Sequence, residues 1–201
     1  MVNIGLLSIF WPLLFIIIAL FYLFRLIASL VWARRFDAEN EFGHGLMAIG
    51  MAFMLAPPDF QTPGGIRWSI ILFVLAALWF CTRLLLRRPL LAILLRADLG
   101  RPAPQADAIH VFMYLSMAYM LLLMSNMAFS MALPTTALNC ACFVAFIFLL
   151  FSYMRAIWRN LQMARLDRLK LGADLAHALM NLAMAWMFID MLTMTISMRV
   201  H

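Results

Sequence analysis

Three stretches of this chain set an acid, a histidine and three methionines at one spacing. Glu41, His44, Met47, Met51 and Met54 make the first, and Asp107, His110, Met113, Met117 and Met120 the second. Asp174, His177, Met180, Met184 and Met187 make the third. The acid stands three residues before the His, and the Met stand three, seven and ten after it. The His recur at intervals of 66 and 67 positions, so the phrase is an internal repeat. In the second and third copies the rhythm continues through Met124, Met127 and Met131, and through Met191, Met194 and Met198. Thioether sulfur is a soft neutral ligand and imidazole a borderline one, and together they favour Cu(I) over hard cations. The expected metal ligands are therefore the three His and the nine Met of the repeat. Glu41, Asp107 and Asp174 are expected in a first helical turn, holding the His ring N–H and drawing a cation to the mouth.

Such a stripe needs a helix. Offsets of 0, 3, 7 and 10 fall on one face about 80° wide, and the longer ladders run roughly 30 Å, the thickness of a bilayer core. The composition agrees: 201 residues, 67% hydrophobic and 12% charged, with mean hydropathy +0.97. These values exclude an ordinary soluble domain and point to an all-α integral membrane protein. Six spans are expected, at about Ile4–Trp32, Glu41–Ala56, Arg67–Leu86, Asp107–Ala132, Pro134–Trp158 and Asp174–Met198. The second is short, because Pro57 and Pro58 end it. The first reads as a spanning helix rather than a cleaved signal. Residues 1–201 then form one membrane domain with repeats at about 1–65, 66–133 and 134–201. Each repeat is a helical hairpin, and the three together are expected as a single-chain pseudo-threefold bundle. Spans two, four and six would line the axis, and spans one, three and five would face lipid.

Charge orients the hairpins. Of 15 basic residues, only Arg67 and Arg199 fall outside the three connections that join spans one to two, three to four and five to six, or the helix ends beside them. The positive-inside rule makes those connections cytoplasmic and both termini external. It also explains the net charge of +6 without a nucleic-acid partner. Arg25, Arg83 and Arg155, each four residues after an aromatic (Phe21, Trp79, Phe151), are expected to cap their helices and snorkel. The three Cys predict no disulfide framework, and Cys140 and Cys142 point ~200° apart on a helix, as ordinary buried residues rather than a chelating pair. Asp190, an acid inside the sixth span, is a further candidate. Asn181, four residues after His177, is a candidate either for a hydrogen bond on the His face or for a packing or interhelical role.

At the His-x-x-Met-x-x-x-Met-x-x-Met phrase the chain resembles a bacterial family of small, Met- and His-rich polytopic membrane proteins of unknown function. The resemblance rests on phrases such as His177-Ala178-Leu179-Met180 and Met184-Ala185-Trp186-Met187 and implies no activity. The logic, without homology, is similar to that of eukaryotic high-affinity copper transporters. Those stack Met triads from a Met-x-x-x-Met helix, the spacing of Met47/Met51, Met113/Met117 and Met180/Met184.

The expected function is Cu(I) binding with copper transport or delivery across a bacterial plasma membrane, through stacked His and Met triads. No phosphate loop is visible, and no enzymatic activity is expected. Expected partners are lipid and copper ions, with a copper chaperone or a membrane copper enzyme as candidate protein partners. Two other readings compete. His and Met are also axial haem ligands, which would make the chain a membrane electron carrier. A Met stripe also suits helix packing, which would make it a structural or assembly subunit.

Overall fold

A computed structural model describes residues 4–31, 38–87, 104–125, 133–162 and 168–200. Among the described residues there are six α-helices: α1 (Ile4–Val31), α2 (Ala38–Met54), α3 (Pro63–Leu86), α4 (Pro104–Ser125), α5 (Leu133–Gln162) and α6 (Arg168–Val200). A short 3-10 turn, Pro58–Phe60, follows α2. Five of the helices are long and apolar enough to cross a membrane, which suits a multi-pass protein in a lipid bilayer. The exception is α2. Its 17 residues rise only ~26 Å and carry Glu39 and Glu41 in the first turn.

Local chemistry moves several ends from their expected places. Helix α3 begins at Pro63, not near Arg67, because the Thr62 side chain caps it by accepting from Gly65 N at 3.1 Å, with Pro63 just inside. Helix α2 stops at Met54, where Gln61 Nε2 donates to the carbonyls of Met54 (2.9 Å) and Ala56 (2.8 Å). Helix α6 starts six residues before Asp174, so that acid lies in its second turn and away from the strongest end of the helix dipole. Met127, Met131 and most of the connecting Arg lie outside the described residues, as do the side chains of Met194 and Met198.

The chain divides into two compact units, Met1–Ser125 and Asn126–His201. In the first, α1 pairs with α2, α3 pairs with α4, and α2 meets α4. Both pairs are antiparallel: Tyr22 meets His44 while Arg25 meets Glu41, and Phe80 meets His110 while Arg83 meets Asp107. Helices α2 and α4 run side by side in the same direction. Glycine permits that approach. A Cβ on Gly43 would stand 2.6 Å from Phe80 Cζ and 3.3 Å from His110 Cδ2, and one on Gly50 would collide with the Phe73 ring and stand 2.6 Å from Met117 Cε. The two glycines, the two Phe of α3, and His110 with Met117 are each seven residues apart, so three helices interlock at two matched levels. In the second unit α5 and α6 form an antiparallel hairpin, with Tyr153 on His177 and Phe146 on Phe188.

Candidate functional site

The odd and even helices divide the apolar residues between them. Among the apolar windows, 50% of α4 and 56% of α6 is buried, against 28%, 22% and 17% for α1, α3 and α5. Within the even helices most of the repeat Met take the buried face, together with Leu121, Leu123 and Phe188. Met47, Met51, Met54, Met113, Met117, Met120, Met180 and Met184 are all buried, at 4% exposure or less. The same helices expose Phe42, Ile49, Leu115, Leu122, Leu182 and Trp186. The stripe thins at its far end, where Met187 and Met191 are half-buried and Met124 is exposed.

At the start of each stripe the His stacks on an aromatic ring of its hairpin partner. The centroid separations are 4.8 Å for Tyr22–His44, 4.5 Å for Phe80–His110 and 4.7 Å for Tyr153–His177. In the first unit the two His also meet, with centroids 4.4 Å apart and rings tilted by 55°. In the second unit His177 Nδ1 lies 2.7 Å from the Ala173 carbonyl oxygen. A carbonyl only accepts, so Nδ1 carries the proton, and in the neutral ring Nε2 holds the lone pair.

The acids are held by bonds the sequence reading did not foresee. Arg25 Nη2 donates to Glu41 Oε1 at 2.6 Å. Arg83 Nε lies 3.1 Å from Asp107 Oδ1 and 3.2 Å from Oδ2, and Arg83 Nη1 donates to Glu39 Oε2 at 3.1 Å. Asn160 Nδ2 donates to Asp174 Oδ2 at 2.5 Å. The expected snorkelling of Arg25 and Arg83 is therefore wrong: both are buried, Arg83 completely, because each has a carboxylate to neutralise. Arg155 is exposed. The reason is register. Arg25 and Arg83 follow their stacking rings Tyr22 and Phe80 by three residues, which keeps ring and cation on one face. Arg155 follows Tyr153 by two, which turns it ~200° away. The ring that matters is not Phe21, Trp79 or Phe151, as the four-residue pattern suggested.

Two further residues tie the first unit together. Glu39, beyond the repeat, accepts from Arg83 and from Trp79 Nε1 (3.3 Å), joining α2 to α3. It borders an apolar groove of about 460 Å³ lined also by Phe42, Leu75 and Tyr114. Tyr114, four residues after His110, donates its hydroxyl to the Gly43 carbonyl at 2.6 Å, joining α4 to α2. No sequence signal marked Tyr114. Glu39 was visible as a second acid in the first turn of α2.

Other expectations meet mixed outcomes. Asn181 bonds on the His face, its Nδ2 donating to the His177 carbonyl at 2.7 Å. Cys140 and Cys142 do diverge, but only Cys142 is buried; Cys140 is exposed. Asp190 is exposed, off the buried face of α6. Among the described residues no three His, Cys, Asp or Glu side chains gather as a metal site; thioethers lie outside that set.

A family model described as Domain of unknown function (DUF5134) matches residues 36–191, from just before α2 to the third helical turn from the end of α6. No curated protein and no solved structure gives a significant match.

Proposed function

The chain belongs to that family of unknown function, and from its chemistry we propose that it binds Cu(I) within the plasma membrane of a bacterium and conducts it or hands it to a copper protein. The observation that carries the reading is the sorting of the apolar side chains. Eight of the nine repeat Met lie on the buried face of α2, α4 and α6, beside Leu121, Leu123 and Phe188, while Phe42, Ile49, Leu115, Leu122, Leu182 and Trp186 are exposed. Neutral thioether and imidazole ligands suit Cu(I) in a low-dielectric setting, because no further anion need be buried. Stacked sites along a stripe give a path of weak, successive stations. Here α2 counts as a sixth, short span. The three hairpins stand about a pseudo-threefold axis with the His at the cytoplasmic ends, set by the basic connections. Cysteine cross-links between positions 44, 110 and 177 test the axis; absence of the 44–177 and 110–177 products removes it.

The His44–His110 pair gives a sharper expectation. Two imidazoles on one Cu(I), with metal–nitrogen distances near ~2 Å, hold their centroids about 5–6 Å apart. Loading that pair therefore widens its 4.4 Å separation by about 1 Å. The deciding experiment is a Cu(I) chelator competition on detergent-purified protein, under reducing conditions, against His44→Ala/His110→Ala/His177→Ala. Wild-type binding that weakens in the triple variant supports the reading. No Cu(I) binding rejects it, and a Soret band in the same sample would favour haem.

One observation favours a packing role instead. The Met117 methyl fills the space beside Gly50, a use that Leu could serve. A structural subunit predicts that Met117→Leu and the His variants keep all function.

A further inference from the structure

The buried face of α5 carries an amide with no partner. Asn139 is 1% exposed, and neither Oδ1 nor Nδ2 makes a hydrogen bond. It stands in line with Thr135, Cys142 and Phe146, all buried, at the four- and three-residue steps of a single helical face. Helix α6 carries a second. Asn181 is fully buried; its Nδ2 is used by the His177 carbonyl, and its Oδ1 has no donor. Because that carbonyl can only accept, the nitrogen end of the amide is fixed and the unmatched atom is the oxygen.

Between these amides lies an aromatic pair. Phe146 and Phe188 are both fully buried and stack with centroids 5.7 Å apart and planes at 21°. Phe146 follows Asn139 by seven residues, and Phe188 follows Asn181 by seven. In an antiparallel hairpin those offsets run in opposite directions. Asn139 therefore lies roughly 10 Å to one side of the rings and Asn181 roughly 10 Å to the other.

We propose that Asn139 and Asn181 are two hydration sites on a path along the buried face of the α5–α6 hairpin, and that the Phe146–Phe188 pair is the dry gate between them. Inside a membrane an unmatched amide is retained only where something polar meets it. Asn139 presents a donor and an acceptor together. Water satisfies both, whereas a bare cation would serve only the oxygen. Two stacked apolar rings offer water no partner, and such constrictions close a path by dewetting. The inference concerns water access, and it stands whichever ion the protein carries.

The test is thiol labelling in sealed membrane vesicles with a small, charged, membrane-impermeant methanethiosulfonate. Single-cysteine chains carry Asn139→Cys, Asn181→Cys, the buried control Ala183→Cys, or native Cys142 alone, with the other native cysteines replaced by Ala. A thiol reacts as the hydrated thiolate, so positions 139, 142 and 181 label about tenfold or more faster than position 183. Positions 139 and 142 label from one side of the membrane, and position 181 labels from the other. Adding Phe188→Ala, or the milder Phe188→Leu, lets each label from both sides. Monodisperse gel filtration checks the fold of each variant, and the Cys142 chain leaves both amides and both rings intact. Labelling at 139, 142 and 181 no faster than at 183 overturns the hydration sites. Labelling from one common side with the rings in place overturns the gate, as does unchanged sidedness in both Phe188 variants.

Discussion

The first unit and the second solve the same problem differently. Both must hold an acid one turn before a buried-face His. In Met1–Ser125 the solution is ionic: Arg25 meets Glu41, and Arg83 lies between Asp107 and Glu39. In Asn126–His201 the partner helix supplies an amide: Asn160 meets Asp174, and Arg155 turns outward. The physical difference is one residue of register between ring and cation, three in α1 and α3 and two in α5. A repeat that looks uniform in its chemical letters therefore diverges in which side chain of the partner helix meets the acid. A cation a single residue out of phase cannot reach its partner, whereas Asn160, seven residues after Tyr153, returns to the correct face.

The largest way to break this contrast is Arg83→Ala. It takes the guanidinium away from two buried carboxylates, and a loss of about 3–5 kcal/mol is expected, read as a large drop in thermal stability of the detergent-solubilised protein. Adding Glu39→Gln and Asp107→Asn should recover most of it. Arg155→Ala should change stability by no more than about 0.5 kcal/mol. Equal losses in the two variants would erase the distinction between the units.

Next is the glycine seam of the first unit. Gly50→Ala drives a methyl into Phe73 and should cost about 1–3 kcal/mol, with Phe73→Leu restoring part. Gly45→Ala, whose nearest neighbour is 3.7 Å away, should be tolerated in the same melting assay.

In the second unit, Asn160→Ala removes a bond to a carboxylate, and a loss of about 1.5–3 kcal/mol is expected. Adding Ala156→Arg sets a cation three residues after Tyr153, the spacing of the first unit. It should restore stability to Asn160→Ala while Arg155 is left in place. Failure of that rescue would show that register alone does not separate the units. The smallest effect is Tyr114→Phe, which deletes one hydroxyl bond between α4 and α2 and should cost about 1 kcal/mol. In hydrogen exchange, amides of α2 near Gly43 should lose protection before those of α6.

Much of the helical plan was legible because hydropathy and spacing act locally. Six helices lie where apolar runs and breakers place them, and the Met stripe faces inward because a seven-residue period returns to one side of a helix. Misplaced ends had local causes: the Thr62 cap drew α3 back to Pro63, and good helix formers carried α6 back to Arg168. The charged belt was not legible. Arg83 and Asp107 are 24 residues apart and Arg83 and Glu39 are 44 apart, and no periodicity links positions on different helices.

The sequence by itself determined that this chain makes five membrane-length helices and a shorter one, and that three of the six carry His–Met faces, because side-chain angle and apolar length follow from residue order alone. Only the tertiary structure decided which groups meet across helices. It paired Arg25 and Arg83 with acids and left Arg155 out. It brought His44 and His110 together through the glycine seam of α2, and it set an aromatic pair between Asn139 and Asn181. Those outcomes depend on the rotation and depth at which helices dock. Docking is governed by steric fit at Gly43, Gly50, Phe73 and Phe80 and by the cost of leaving a buried charge unmatched.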